Sequence, residues 1–263
     1  AMDLDFHGQP DLSHAFSLPP SQVRVIGTKI GGGFGGKSRP RYERLAAALS
    51  IKARRPVRTV MTRAEEFIAF RSPANVARIK TGVKRDGTIV AQSIELVWDT
   101  GAYAEAYPYS FNAPKHAAGP YRVPNVSVDS YLVYTNKVPA YSWRGLGVPN
   151  TMWAMESQMD IVARKLGIDP LEIRLKNLVQ EGDIAHTGET LQGVGARECL
   201  EKVARTIGWG KKLGPNRGIG LACFHLRPHV QFPSGAMVRL NDDGTVLLLA
   251  EVTELGQGGQ TLL

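Results

Sequence analysis

The sequence predicts an α+β protein in which mixed sheets pack against helices. Three observations carry that class. β-Branched, partly alternating runs recur along the chain, apolar residues recur at helical spacing in several others, and the 28 glycines and 16 prolines supply more turns than a helix bundle needs.

The elements follow in order. Residues 23–30 (VRVIGTKI) read as a strand entering a glycine loop. Residues 41–53 read as a helix with Leu45, Ala48 and Leu49 on one face, and residues 54–62 (RRPVRTVMT) as a second strand, so that 23–62 is expected to be a parallel strand–loop–helix–strand crossover. Residues 76–98 read as a hairpin turning at Asp86-Gly87, with both arms alternating. Residues 126–134 give another strand. A helix over 151–166 is stopped by Gly167. Asp169-Pro170-Leu171-Glu172 supplies an N-cap, a proline at the first helical position and a capping glutamate, so a second helix runs to about Leu178. Residues 182–195 read as a loop, 196–207 as a short helix and 208–217 as a linker. Strands are expected over 218–226 and 235–253, the latter turning at Asp243-Gly244. A boundary near the linker divides the chain into residues 1–212, a first domain, and 213–263, the incomplete start of a second.

Composition excludes several classes. The chain of 263 residues is 43% hydrophobic and 21% charged, as soluble globular proteins are. Its net charge of +8 is spread without a long basic run, so it suits an anionic cofactor or partner subunit better than nucleic acid. Two cysteines, Cys199 and Cys223, are too few for a four-cysteine zinc or iron–sulfur site and point to a reducing, cytoplasmic setting. No signal-peptide pattern and no apolar run of about 18 residues is present, so no membrane is expected.

The chemistry centres on KIGGGFGGKSRP, residues 29–40. Gly31, Gly36, Lys37 and Ser38 satisfy the phosphate-cradling P-loop pattern, and Gly31, Gly33 and Gly36 satisfy the dinucleotide pattern. Pro40 sits awkwardly for the helix a P-loop must open, and Phe34 is bulky where a dinucleotide turn tightens. Asp99-Thr100-Gly101-Ala102 matches the aspartic-protease turn, but the chain carries no second copy, so Asp99 is expected to serve the hairpin exit.

Two further motifs stand with the glycine loop in order and spacing. One is Trp143-Arg144-Gly145-Leu146-Gly147-Val148-Pro149-Asn150 with its following helices, and the other is Thr253-Glu254-Leu255-Gly256-Gln257-Gly258. Pro56-Val57, Thr62-Arg63-Ala64-Glu65-Glu66 and Tyr121-Arg122-Val123-Pro124-Asn125 fit the same pattern. The ordered set resembles the molybdopterin-binding large subunit of the molybdenum hydroxylases, the xanthine dehydrogenase and aldehyde oxidase family, from about residue 12 onward. The resemblance implies a molybdenum-cofactor-binding domain. In it Gly33, Phe34 and Gly35 approach the metal, with the backbone at Phe34 and Gly35 facing an oxygen ligand. Arg144 falls on an arginine near the metal centre, and Gln257, between Gly256 and Gly258, on a glutamine that binds the pterin. Phe34 and Arg144 are thus the residues placed nearest the metal.

Departures narrow the substrate. Ser38 stands where purine-oxidising members carry a glutamate, Leu146 where they carry an aromatic, and Asn112 about where they carry an arginine, which argues against a purine. The cysteine-bearing loop of the carbon monoxide enzymes is absent before Arg144. The resemblance implies hydroxylation of an aldehyde or N-heterocycle with oxygen from water. The cofactor would be molybdopterin, in its simple or cytosine dinucleotide form. Electrons would leave through a [2Fe-2S] subunit and an FAD subunit, and a second molybdopterin-binding subunit is a further partner. The family's glutamate base falls beyond Leu263 and an upstream glutamine motif before the start, so the polypeptide is expected to be a split or truncated chain with no catalytic base, inactive alone. The rivals are a P-loop-like nucleotide-binding protein and a cofactor-free assembly module of the same fold.

Overall fold

A computed structural model describes residues 8–37, 42–69, 71–103, 105, 108–226, 234–252 and 254–262. They fall into two compact units. One is drawn from residues 1–70, 142–144 and 228–263, the other from residues 71–141 and 145–227.

The second unit is built on the expected hairpin. Strand β1 (Asn75–Val83) pairs antiparallel with β2 (Ile89–Gly101), and β3 (Asn125–Tyr134) adds parallel to β2, giving the order β1-β2-β3. Asp86 fixes the turn, accepting from the Thr88 N–H at 3.0 Å. Being central, β2 buries Ile94, Leu96 and Trp98 completely or nearly so. They meet Tyr109 of a one-turn helix, α4 (Tyr109–Asn112), which the sequence reading did not anticipate.

Helix α5 (Val148–Leu166) lays Met152, Met155 and Met159 into the core. Gly167 ends it in the left-handed region, its N–H bonding the carbonyls of Ala163 and Arg164. Helix α6 (Pro170–Asn177) starts as predicted: Asp169 Oδ1 accepts from the Leu171 N–H at 2.7 Å and also takes the Trp209 Nε1–H at 3.0 Å. Helix α7 (Ala196–Ile207) matches its expected bounds. Arg174 of α6 is fully buried. Its Nε reaches Glu156 Oε2 at 2.8 Å and its Nη1 reaches Asp160 Oδ1 at 2.8 Å. Tyr121 donates to Glu156 at 2.5 Å and the Cys223 N–H donates to it at 2.8 Å, so this buried carboxylate is fully engaged.

The first unit holds α1 (Gly8–Phe16), α2 (Tyr42–Ala53), α3 (Arg63–Ala69), the ribbon β4 (Ala236–Leu240) with β5 (Val246–Ala250), and a last turn, α8 (Gly259–Leu262). Arg44 of α2 pairs with Asp11 of α1 at 2.8 Å. Helices α1 and α3 were not foreseen.

Three expected strands are absent. Residues 23–30, 54–62 and 218–226 form no ladder, so the parallel crossover over 23–62 does not exist. A β-branched run becomes a strand only when a neighbour takes its N–H and C=O groups. Here the Val23 carbonyl accepts from the Gln9 side chain at 3.0 Å, and the Cys223 N–H is spent on Glu156. In 54–62, Pro56 also removes a donor. No helix among the described residues is long and apolar enough to cross a membrane.

Candidate functional site

The glycine loop folds as a tight turn. The Gly36 N–H donates to the Gly33 carbonyl at 2.8 Å, and the two residues between them have positive φ, Phe34 at +50° and Gly35 at +98°. That pairing of φ angles is the signature of a type I′ turn, which glycine accepts and phenylalanine resists. Gly35 has a second constraint: a Cβ there would lie 2.2 Å from the Ser142 carbonyl oxygen. The loop therefore rests on the backbone of Ser142 and Trp143. One residue on, the Arg144 guanidinium carbon stands 5.4 Å from the centroid of the Phe34 ring, within cation–π range. The ring itself is 67% exposed.

The third motif closes on the same loop. A Cβ on Gly256 would lie 2.9 Å from the Gly32 nitrogen. Around it the chain makes a small nest: Glu254 Oε1 accepts from the N–H groups of Gly256 at 2.8 Å and Gly258 at 3.1 Å, and Gln257 Oε1 accepts from the Leu255 N–H at 2.7 Å. Gly33, Phe34, Gly35, Arg144, Gly256, Gln257 and Gly258 thus belong to one compact unit.

Asn112 and Leu146 belong to the second unit, where the Asn112 amide is buried against backbone. Ser38 lies outside the described residues. The decoys also resolve. Gly36 and Lys37 sit in a turn rather than at a helix start, and Lys37 Nζ donates back to the Ile30 carbonyl. Asp99 ends β2 as an ion-pair hub, 2.9 Å from Arg71 and 2.8 Å from Lys137. Burial opposes its ionisation, but hydrogen bonds from Lys137, Thr135, the Gly101 amide and Arg71 outweigh burial and hold the carboxyl well below the usual range. It serves the exit of the hairpin.

Three contributors escaped the sequence reading: the Ser142 carbonyl, Gly32 and Glu254. Glu254 stands inside a quoted motif, so its carboxylate next to two glycine amides was a readable signal; the other two act through backbone, which leaves no trace in residue type. Among the described residues, no group of three or more His, Cys, Asp or Glu side chains is placed to hold a metal ion. The candidate donors are the backbone of the glycine loop and the Arg144 guanidinium, since the Gly256 and Gly258 amides already serve the Glu254 carboxylate. Such a set fits an anionic, oxygen-rich group, because amide dipoles and a delocalised cation both point at acceptors.

The family model for the molybdopterin cofactor-binding domain matches residues 5–178, about two thirds of the chain. The putative xanthine dehydrogenase molybdenum-binding subunit XdhA of Escherichia coli K12 is 36% identical over 95% of this chain and 36% of its own length. The nicotinate dehydrogenase large molybdopterin subunit of Eubacterium barkeri is 39% identical over 73% of this chain and 46% of its own. Among solved structures, the aldehyde oxidoreductase of Desulfovibrio desulfuricans ATCC 27774 superposes with a TM-score of 0.76 at 27% identity, covering 87% of this chain and 26% of that one. The chain spans about a third of the length of the relative it matches over most of its own residues. With a family model matching about two thirds of its residues and relatives alike along nearly all of it, this chain belongs to the molybdenum hydroxylase family, with a molybdopterin cofactor-binding domain.

Proposed function

We propose that this chain is the cofactor-holding part of an oxidoreductase that hydroxylates an aldehyde or an N-heterocycle with oxygen from water. The observation that carries the reading is the convergence of residues 31–37, 142–144 and 254–258 in one unit, with Gly35 and Gly256 packed too closely for any side chain. The cradle suits the molybdopterin group in charge and donor type. When bound, that group supplies two-electron redox chemistry.

The chain's own residues would hold it. The backbone at Gly33, Phe34 and Gly35 would face an oxygen ligand of the metal. Arg144, held against the Phe34 ring, sets a fixed positive charge beside them. Gly256, Gln257 and Gly258 form the pterin-facing turn, Gln257 contributing an amide that can both donate and accept. Phe34 and Arg144 stand nearest the metal in this reading. The absence of an aromatic at 146 and of a carboxylate at 38 disfavours a purine in this reading. In this reading electrons leave through iron–sulfur and FAD subunits in the cytoplasm. The linker near residue 212 is proposed as a domain boundary.

The relatives support this by their names: one is a molybdenum-binding subunit, another oxidises nicotinate and a third is an aldehyde oxidoreductase. Elemental analysis of the complex purified with all its partners tests the reading. About one molybdenum per chain is expected; a complete complex without molybdenum rejects it.

A further inference from the structure

The segment after Arg144 is conformationally costly. Gly145, Leu146 and Gly147 carry φ angles of +88°, +45° and +87°, three left-handed residues in succession. For leucine that region is strained, and strain persists only where the surroundings impose it. From the C-terminal side the segment is pinned by helix α5: the Val148 N–H bonds the Gly145 carbonyl at 2.9 Å and the Thr151 hydroxyl bonds the Gly147 carbonyl at 3.1 Å. From the other side Trp98, Tyr109 and Ala113 crowd Gly147, and one buried amide hydrogen-bonds to the turn. Asn112, 1% exposed, donates from Nδ2 to the Gly145 carbonyl at 3.3 Å and to the Leu146 carbonyl at 3.2 Å. Its own backbone is fixed by His116, whose buried Nδ1 lies 2.9 Å from the Asn112 carbonyl; a carbonyl only accepts, so Nδ1 carries the proton.

The Asn112 amide nitrogen thus donates to two backbone carbonyls of the turn. We propose that Asn112 is a positioning residue: its amide holds the left-handed turn 145–147 and so sets where the Leu146 side chain stands for substrate. The substrate half of this rests on the functional reading above; the conformational half does not. The turn also keeps the Leu146 side chain packed against the cluster of Ile94, Leu96, Trp98 and Tyr109.

Two measurements on Asn112→Asp and Asn112→Leu decide it, since each removes the donors by a different chemistry. In limited chymotrypsin digestion of the full chain, cleavage at Leu146–Gly147 is expected to accelerate about tenfold while cleavage after exposed Phe67 stays within about twofold. Equal acceleration at both sites, or none, overturns the proposal. In the molybdenum-loaded complex, apparent KM for a neutral aldehyde is expected to rise about fivefold with kcat and molybdenum content nearly unchanged. An unmoved KM overturns the substrate half. If Asn112→Leu fails to fold, Leu146→Gly on that background is the second variant: glycine takes φ +45° unaided, so folding returns, and failure to return overturns the proposal. A complex lacking molybdenum rejects the functional reading and the substrate half with it, while the digestion still decides the turn.

Discussion

Gly35 and Gly31 differ in what a methyl group would meet, and that difference makes a sharp test. Both have positive φ, but a Cβ on Gly35 would strike the Ser142 carbonyl at 2.2 Å whereas one on Gly31 meets nothing within 4 Å. Gly31→Ala is expected to cost about 1 kcal/mol from conformation alone, with molybdenum content retained. Gly35→Ala must also push the loop off Ser142, adding about 1–3 kcal/mol and lowering molybdenum per chain several-fold. Thermal melts with metal analysis on the same preparations check both. Arg144→Lys belongs beside them. A lysine keeps the charge but loses the planar fork that lies on Phe34, so cofactor content is expected to fall although net charge does not. At this scale the motifs were legible, since glycines and an arginine in fixed order are visible in a string of letters. The Ser142 carbonyl and the inward-turned Asn112 amide were not visible, because what they do depends on residues about 100 and 30 positions away that only folding brings near.

Helix α6 illustrates what local signals achieve. Asp169 caps it and also binds Trp209, so Asp169→Ala is expected to cost about 1–2 kcal/mol in urea denaturation. Arg174 is the costlier position. Replacing it by methionine strands the buried Glu156 carboxylate, for an expected loss of about 3–5 kcal/mol. Strand β2 contributes the pH dependence. The folded Asp99 carboxyl titrates below its unfolded value of about 3.9, so its stabilisation is complete above that value and is lost as pH falls through the lower folded one. Asp99→Asn should therefore lower stability at neutral pH and flatten the acid limb, read by melts at stepped pH. Elements with punctuation inside a few residues, such as Asp86-Gly87 or Asp169-Pro170, were legible in advance. Residues 23–30, 54–62 and 218–226 were not, because strand formation depends on a partner far off in sequence.

For the chain as a whole, protection should be uneven. Strand β2 is buried through most of its length, while every residue of the β4–β5 ribbon is exposed. Two strands without cover are marginal in water, so amide exchange is expected to be slow in β2 and fast in β4–β5 when the chain is studied by itself. Assembly with a covering partner would slow the second without changing the first. The thiols give an independent reading of the same unevenness. Burial and the Glu156 charge push the Cys223 thiol up to about 11, whereas Cys199 is exposed. Iodoacetamide at neutral pH should label Cys199 first, with Cys223 following only on unfolding. The left-handed turn at 145–147 has a consequence for anyone redesigning specificity. Positions 112 and 146 are not independent letters: a side chain at 112 of different length, or without N–H donors, would no longer hold residue 146 in its conformation. Substitutions at the two positions should show strong epistasis, and a library that varies them one at a time would score as dead the combinations that work only as pairs.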